Sequence, residues 1–185
     1  MKKGILLISF MVIAITTSLA QKNQDFIISL TQDTIFGKVY LSDASNVTFK
    51  YHKKKLHFHP ASIGNFGIYE DGIYQIYKPI KNAKGAFAIV KVVHNGKLKL
   101  YEYQRRHQAF GKESFYMIGY TDQKLVTLSP TTFDKTISGF LQDAPNLLVQ
   151  LATANYHHIP ELIAAYNQLQ TIDKLASLSQ NTTTR

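Results

Sequence analysis

Apolar side chains recur at every second position from Asp25 to about Leu128, and turn-forming residues break this alternation into short runs. A period of two places side chains on one face of a strand, so the pattern restricts the region to successive β-strands. Phe26, Ile28 and Leu30 share a face of the first run; after Gln32-Asp33, Ile35, Gly37, Val39 and Leu41 share a face of the second. Val47, Phe49 and Tyr51 then alternate with Thr48, Lys50 and His52. Beyond Lys53, Lys54 and Lys55, Leu56 and Phe58 alternate with His57 and His59. Glu70-Asp71-Gly72 divides 67–69 from 73–77, a hairpin signal because Asp-Gly adopts positive φ at low cost. The strongest hairpin signal is His94-Asn95-Gly96, between the runs 87–93 and 97–103. Runs at 114–120 and 124–128 complete the series. No helical pattern intervenes, so antiparallel pairing is expected, with alternate apolar residues turned to a shared interior.

The period changes at Ser129-Pro130. Phe133, Ile137, Phe140 and Leu141 form one helical stripe, with Ser129 expected as the cap and Pro130 in the first turn. Asp143-Ala144-Pro145-Asn146 breaks that helix. Leu147, Leu148 and Leu151 begin a second, and Pro160 opens a third whose stripe is Leu162, Ile163, Tyr166 and Leu169. Residues 171–185 are expected to be a frayed polar tail.

The first twenty residues have the three parts of a cleavable secretory signal peptide: Lys2 and Lys3, the apolar run 4–15, and the small-residue site Ser18-Leu19-Ala20. Cleavage after Ala20 is expected, and the product is expected outside the cytoplasm: periplasmic, outer-membrane-associated or secreted. The apolar run is shorter than the roughly 20 residues of a spanning helix. Nothing in 21–185 approaches that length, so no transmembrane segment is expected in the mature chain. The chain has no cysteine, which removes disulfides, thiolate metal sites, a cysteine nucleophile and a lipid-modified cysteine from consideration. Without Lys2 and Lys3, 19 basic side chains face 12 acidic ones. In an exported protein such a balance points to envelope polyanions, not to nucleic acid, where it does more than keep the chain soluble.

Four segments stand out in order: Leu30-Thr31-Gln32-Asp33-Thr34-Ile35-Phe36-Gly37-Lys38-Val39, Gly96-Lys97-Leu98-Lys99-Leu100-Tyr101-Glu102-Tyr103, Phe140-Leu141-Gln142-Asp143-Ala144-Pro145 and Leu162-Ile163-Ala164-Ala165-Tyr166-Asn167. Together they resemble a group of uncharacterised, secreted, β-rich proteins of Bacteroidota. Their order covers most of the mature chain. Ala144 stands where that group more often has cysteine. The resemblance implies an exported β-rich fold, and implies no catalytic residue and no cofactor.

His52, His57 and His59 are the candidate metal cluster, because imidazoles at i and i+2 on one strand face can share a transition metal. Lys53, Lys54 and Lys55 beside them would repel a cation, and read instead as a basic loop able to touch an anionic surface. His157, His158 and Glu161 lack metalloprotease spacing, since adjacent histidines point about 100° apart on a helix. Gly64 and Gly67 suit a bulge or turn, and Glu70-Asp71 a turn tip, more than a phosphate loop or a glycosidase pair. Tyr69, Tyr74, Tyr77, Tyr101, Tyr103, Tyr116 and Tyr120 lie in expected strands. On a sheet face they either pair across strands or stack a ligand.

The expected fold is α+β: a mainly antiparallel sheet of eight or nine strands, strongly curved or forming a partly open barrel, with two or three C-terminal helices. One domain is expected over 21–170, helical from about 130. The expected role is non-enzymatic binding of an envelope protein, glycan or lipid. The alternative is a barrel carrying an apolar ligand in a cavity lined by Phe49, Phe58, Phe87 and Ile89. Less favoured is a hydrolase of unrecognised type. No catalytic residue and no cofactor are assigned.

Overall fold

A computed structural model describes residues 24–43, 46–81, 85–107 and 111–182. The expected signal segment, with its expected cleavage after Ala20, lies outside the described residues. The strands are β1 (Asp25–Ser29), β2 (Thr34–Asp43), β3 (Asn46–Tyr51), β4 (Lys54–Phe58), β5 (Ile63–Glu70), β6 (Ile73–Lys81), β7 (Phe87–Asn95), β8 (Lys99–His107), β9 (Gly111–Gly119) and β10 (Val126–Thr127). The helices are α1 (Phe133–Phe140), α2 (Pro145–Leu151) and α3 (Ile159–Thr182), with 3-10 turns at Pro60–Ser62 and Tyr156–His158. The fold is therefore α+β, with an antiparallel sheet in the order β10-β9-β8-β7-β6-β5-β1-β2-β3-β4 and three helices after it. The sheet is not closed. It has ten strands instead of eight or nine, the tenth a two-residue pairing on β9.

Internal contacts divide the chain into two compact units. One runs to Pro79 and includes Gly85–Ile89; the other holds Ile80, Lys81 and the chain from Val90 onward. Each has its own core.

In the first unit β1 is central, paired with β2 on one side and β5 on the other. Ile27, Val39, Val47, Phe49, Ile63, Phe66, Ile68 and Ile89 fill the core. The expected inward face holds for Val39, Val47 and Phe49; β1 also alternates but with its faces reversed, Ile27 and the Asp25 side chain buried while Phe26 and Ile28 stay half-buried and Leu30 exposed. The local reason is Asp25, whose carboxylate must point inward to reach backbone donors on both neighbours. Tyr51 and Leu56, expected inside, are 43% and 41% exposed because they stand toward the turn of the β3–β4 hairpin.

The joint between β4 and β5 forces this unit to coil. The two strands are four spacings apart in the sheet order, about 19 Å if the sheet were flat. Only residues 59–62 join them, and 60–62 are wound into a 3-10 turn with a rise of about 2 Å per residue. So short a link requires the strands to curl round the core.

In the second unit the helices cover one face of the sheet. Leu98, Leu100, Ile118 and Leu128 meet Ile137, Leu141, Leu147, Leu151, Ile159, Leu162, Ile163 and Tyr166. The opposite face packs Ile80, Val90 and Tyr101 with Val92, Tyr103, Met117 and Leu125. Thr132, not Ser129, occupies the N-cap position of α1, and the Ser129 hydroxyl accepts instead from the Thr131 N–H at 3.3 Å. The third helix also runs past the expected stop to Thr182, since 171–182 contain neither glycine nor proline.

The β7–β8 hairpin forms where Asn95-Gly96 signalled it, but residues 96–98 bend between the strands and the register shifts near Val92/His94. Gly96 is required for a second reason. The Asn167 side chain of α3 acts as a strand partner to Leu98, its Oδ1 accepting from the Leu98 N–H at 2.9 Å and its Nδ2 donating to the Leu98 carbonyl at 2.8 Å. A Cβ on residue 96 would overlap that amide.

Gly96→Ala and Asn167→Ala should each lower stability by about 1–3 kcal/mol, through overlap and through orphaned Leu98 groups respectively. The double variant should lose clearly less than the sum, because removing the amide also removes the overlap. Urea unfolding followed by circular dichroism checks this, and strict additivity would refute the account of Gly96.

Candidate functional site

Register builds the most distinctive surface of the first unit. With Val39 buried, β2 turns Phe36, Lys38 and Tyr40 to the outer face. Phe26 of β1 lies opposite Phe36. Lys38 faces Lys50 of β3, which faces Lys55 of β4; Tyr40 faces Thr48, which faces His57. Two polar rows therefore run across the strands, one of three lysines and one of Tyr40, Thr48 and His57. Beside them runs a row of rings. The centroids of Phe36 and Phe26 are 6.3 Å apart, those of Phe26 and Tyr74 5.3 Å, and those of Tyr74 and Tyr69 5.0 Å. Gly67, opposite Phe26, lets that ring lie over β5; a Cβ there would overlap it. The Tyr74 hydroxyl donates to the Gln24 carbonyl at 3.2 Å, holding the Tyr74 ring in the row.

Asp25 anchors this face from below. Its side chain is 1% exposed. Oδ2 accepts from the Val39 N–H at 2.9 Å and lies 3.1 Å from Lys38 Nζ, while Oδ1 accepts from the Tyr69 N–H at 2.9 Å. One carboxylate thus ties β2 to β5 across the start of β1 and sets the backbone beside both Lys38 and Tyr69. Charge farther along the face is one-sided: between Asp43 and Glu70 the chain has four lysines, three histidines and no acidic residue. The anionic-contact candidates Lys53, Lys54 and Lys55 are all exposed, with Lys54 and Lys55 on β4. Because β4 ends the sheet order, its lysines also guard an edge strand against pairing with another chain.

The three histidines of the candidate cluster are put to separate uses. His52 sits at φ 51° in the β3–β4 turn against Tyr51. The His57 Nδ1 shares a hydrogen bond with the Thr48 hydroxyl at 3.1 Å. His59 caps the 3-10 turn, its Nδ1 accepting from the Ala61 N–H at 3.2 Å, with its ring edge-on to Phe87. Among the described residues no three His, Asp or Glu side chains are grouped to hold a metal. His157 and His158 form a 3-10 turn ahead of α3, capped by Asn155. Glu70 ends β5, and Asp71 and Gly72 take φ of 50° and 87° in the turn that follows. Gly64 lies by the bulge where the β1–β5 register shifts.

Of the seven tyrosines singled out by sequence, Tyr69 and Tyr74 are on the outer face of the first unit. Tyr77 stacks on Phe66 of the core at 5.4 Å. Tyr101 and Tyr103 pack in the second unit, Tyr116 against Tyr156 and Tyr120 against Phe140. Sequence reasoning missed Tyr40, Lys38, Lys50, Phe26 and Phe36 as members of one surface. Their i, i+2 spacing was visible, but the register that aligns them across strands was not.

The second unit gathers polar groups at two points. Asp122 accepts from the Tyr101 hydroxyl at 2.6 Å and from Lys99 Nζ at 3.0 Å. Burial, then the bond to Asp122, pushes the Tyr101 phenol well above its ordinary range. Asp143 accepts from Lys97 at 3.3 Å, Tyr166 at 3.1 Å and Gln170 at 3.0 Å. Burial pushes its carboxyl up, but the bonds from Tyr166 and Lys97 outweigh this and hold it below the usual range. Burial, followed by contacts with Tyr120 and Asp143, likewise raises Tyr166. An open groove of about 490 Å³ is lined by residues of α1 and α2 and their flanks, among them Phe133, Ser138, Leu148 and Leu151.

No family model, curated protein or solved structure matches the chain.

Asp25→Ala should destabilise the first unit by about 3 kcal/mol, because two backbone N–H groups lose a charged acceptor. Thermal melting measures this, and an unchanged melt would remove Asp25 from its anchoring role. Tyr101 and Tyr166 have phenols raised above the unfolded value of 10.0. The folded state holds these protons more tightly, so the stability they contribute is fully present below about pH 10 and falls as pH rises beyond it. The part of the tyrosinate absorbance that comes from Tyr101 and Tyr166 should accordingly appear late and together with unfolding; early, fold-preserving ionisation of every tyrosine would contradict it.

Proposed function

We propose that the chain is an exported, non-enzymatic binding module of the cell envelope or its surroundings, and that its ligand lies across the outer face of the first unit. The observation that carries this is the connected row Phe36–Phe26–Tyr74–Tyr69, held half-buried on a sheet face while the core of the unit fills the other side. Rings fixed by packing offer contact area with little further loss of side-chain freedom on binding. Two acidic groups of the second unit that lie among tyrosines are engaged by neighbours: Asp122 by Lys99 and Tyr101, Asp143 by Lys97, Tyr166 and Gln170. Such engagement favours binding over hydrolysis.

The first unit is read as a strongly curved, partly open barrel whose interior is filled. A carrier would need space between Phe49, Phe58, Phe87 and Ile89. Phe49 and Ile89 instead belong to one packed core with Phe58 against it, which favours a surface role. Export fits the position of β1, since a cut after Ala20 would spare the central strand from Asp25 onward. The same reading groups the chain with the secreted proteins that its four motifs resemble.

Protein recovered from the extracytoplasmic fraction should begin at Gln21, and the mature chain should sediment with isolated cell envelopes. Tyr40→Ala, at a 46% exposed position, and Phe36→Ser/Tyr74→Ser should weaken sedimentation about tenfold with circular dichroism unchanged. Equal sedimentation of folded variants, or a cytoplasmic product that keeps Met1–Ala20, would overturn the proposal.

A further inference from the structure

We infer that the ligand of this face is an acidic polysaccharide, a glycan chain carrying carboxylate, sulfate or phosphate groups; the inference rests on the binding-module reading above. Two chemistries lie side by side on one sheet surface. The ring row presents half-buried apolar rings, inclined to one another at 60–64°, beside phenol hydroxyls, the amphipathic combination that suits the apolar and hydroxylated faces of a sugar ring. The lysine row presents three ammonium groups at neighbouring strand positions, spanning about 10 Å across the sheet. Polar Tyr40, Thr48 and His57 continue the surface on the far side of the lysines.

Charge complementarity selects the anion. Lys38 is balanced by Asp25, but Lys50, Lys53, Lys54 and Lys55 stand in a stretch with no carboxylate between Asp43 and Glu70. A one-sided field of this kind attracts a polyanion and repels cations. The form of the surface selects a glycan over a bilayer. Binding to a membrane surface draws on apolar groups that insert among the lipids. Here Phe26, Phe36, Tyr69 and Tyr74 are half-buried in the sheet, and the protruding side chains are Lys38, Tyr40, Lys50, Lys55 and His57. A sugar chain can lie on such a surface, stacking on the rings while its acidic groups meet the ammonium row.

The mature chain, Gln21–Arg185, is titrated with polygalacturonate and with dextran sulfate, and separately with neutral dextran and phosphatidylglycerol vesicles. Tyrosine fluorescence serves as the reporter, because the chain has no tryptophan. Binding of the acidic polymers is expected, weakening as salt rises, with little response to neutral dextran. Lys50→Glu/Lys55→Glu should weaken it about tenfold or more, and Tyr40→Ala less. Lys135→Glu, on α1 of the second unit, should leave it unchanged. Lys50 and Lys55 are exposed, so their variants are expected to fold, and circular dichroism verifies this. Equal affinity for neutral dextran, equal binding by the folded double-lysine variant, or response to the vesicles alone would overturn the inference. Envelope sedimentation that depends on Phe36 and Tyr40 without any response to acidic polymers would refute the glycan ligand and leave the binding module standing.

Discussion

A single buried carboxylate organises the first unit. Asp25 stands where the central strand begins, and its two oxygens reach the backbone of the strands on either side. The side chain therefore extends the hydrogen bonding that β1 supplies farther along, and joins β2 to β5 where β1 has only begun. Burying a carboxylate is costly unless its charge is compensated and its lone pairs are engaged. Both conditions are met by two N–H donors and by Lys38, which places one lysine of the basic row at the surface directly above the core. The residue that closes the core thus also positions part of the exposed face.

The second unit solves a similar problem with an amide. Asn167 offers the Leu98 backbone the donor and acceptor that a neighbouring strand would otherwise supply. A few ångströms away Lys97, Asp143, Tyr166 and Gln170 form a connected polar cluster. Three stretches widely separated in sequence, near 97, near 143 and at 166–170, meet there. Hairpin, helix break and final helix are thus held by directional bonds as well as by the apolar packing of Leu98, Leu141 and Tyr166.

Alternation made the strands and their turns legible because a period of two leaves little else for those residues to form. The α+β class, the antiparallel pairing and the helices at the end follow from that pattern together with Pro130, Pro145 and Pro160. Register was not legible, because it is decided between strands. A reading that follows apolar residues alone turns Phe26 toward the core; the need of Asp25 for backbone donors turns it outward. Gly96 shows the same limit, since it reads locally as half of a tight turn while the approach of Asn167, seventy-one residues later, also demands it. Lys53, Lys54 and Lys55 were visible as a basic loop, yet Lys38 and Lys50 join Lys55 in a row only once β2, β3 and β4 are aligned.

The central position of β1 sets an order of events for a chain that emerges from its N-terminal end. β2 follows at once and can pair with β1 as a local hairpin, giving Asp25 its first backbone donor. The second donor belongs to Tyr69, forty-four residues downstream, so one oxygen of the carboxylate must wait in water until β5 has been delivered. Contacts this distant in sequence form slowly. Any machinery that feeds the polypeptide through a pore therefore handles this unit as an incomplete sheet until the segment beyond Ile63 has cleared the exit, and the last backbone bond to Asp25 is made only after that release.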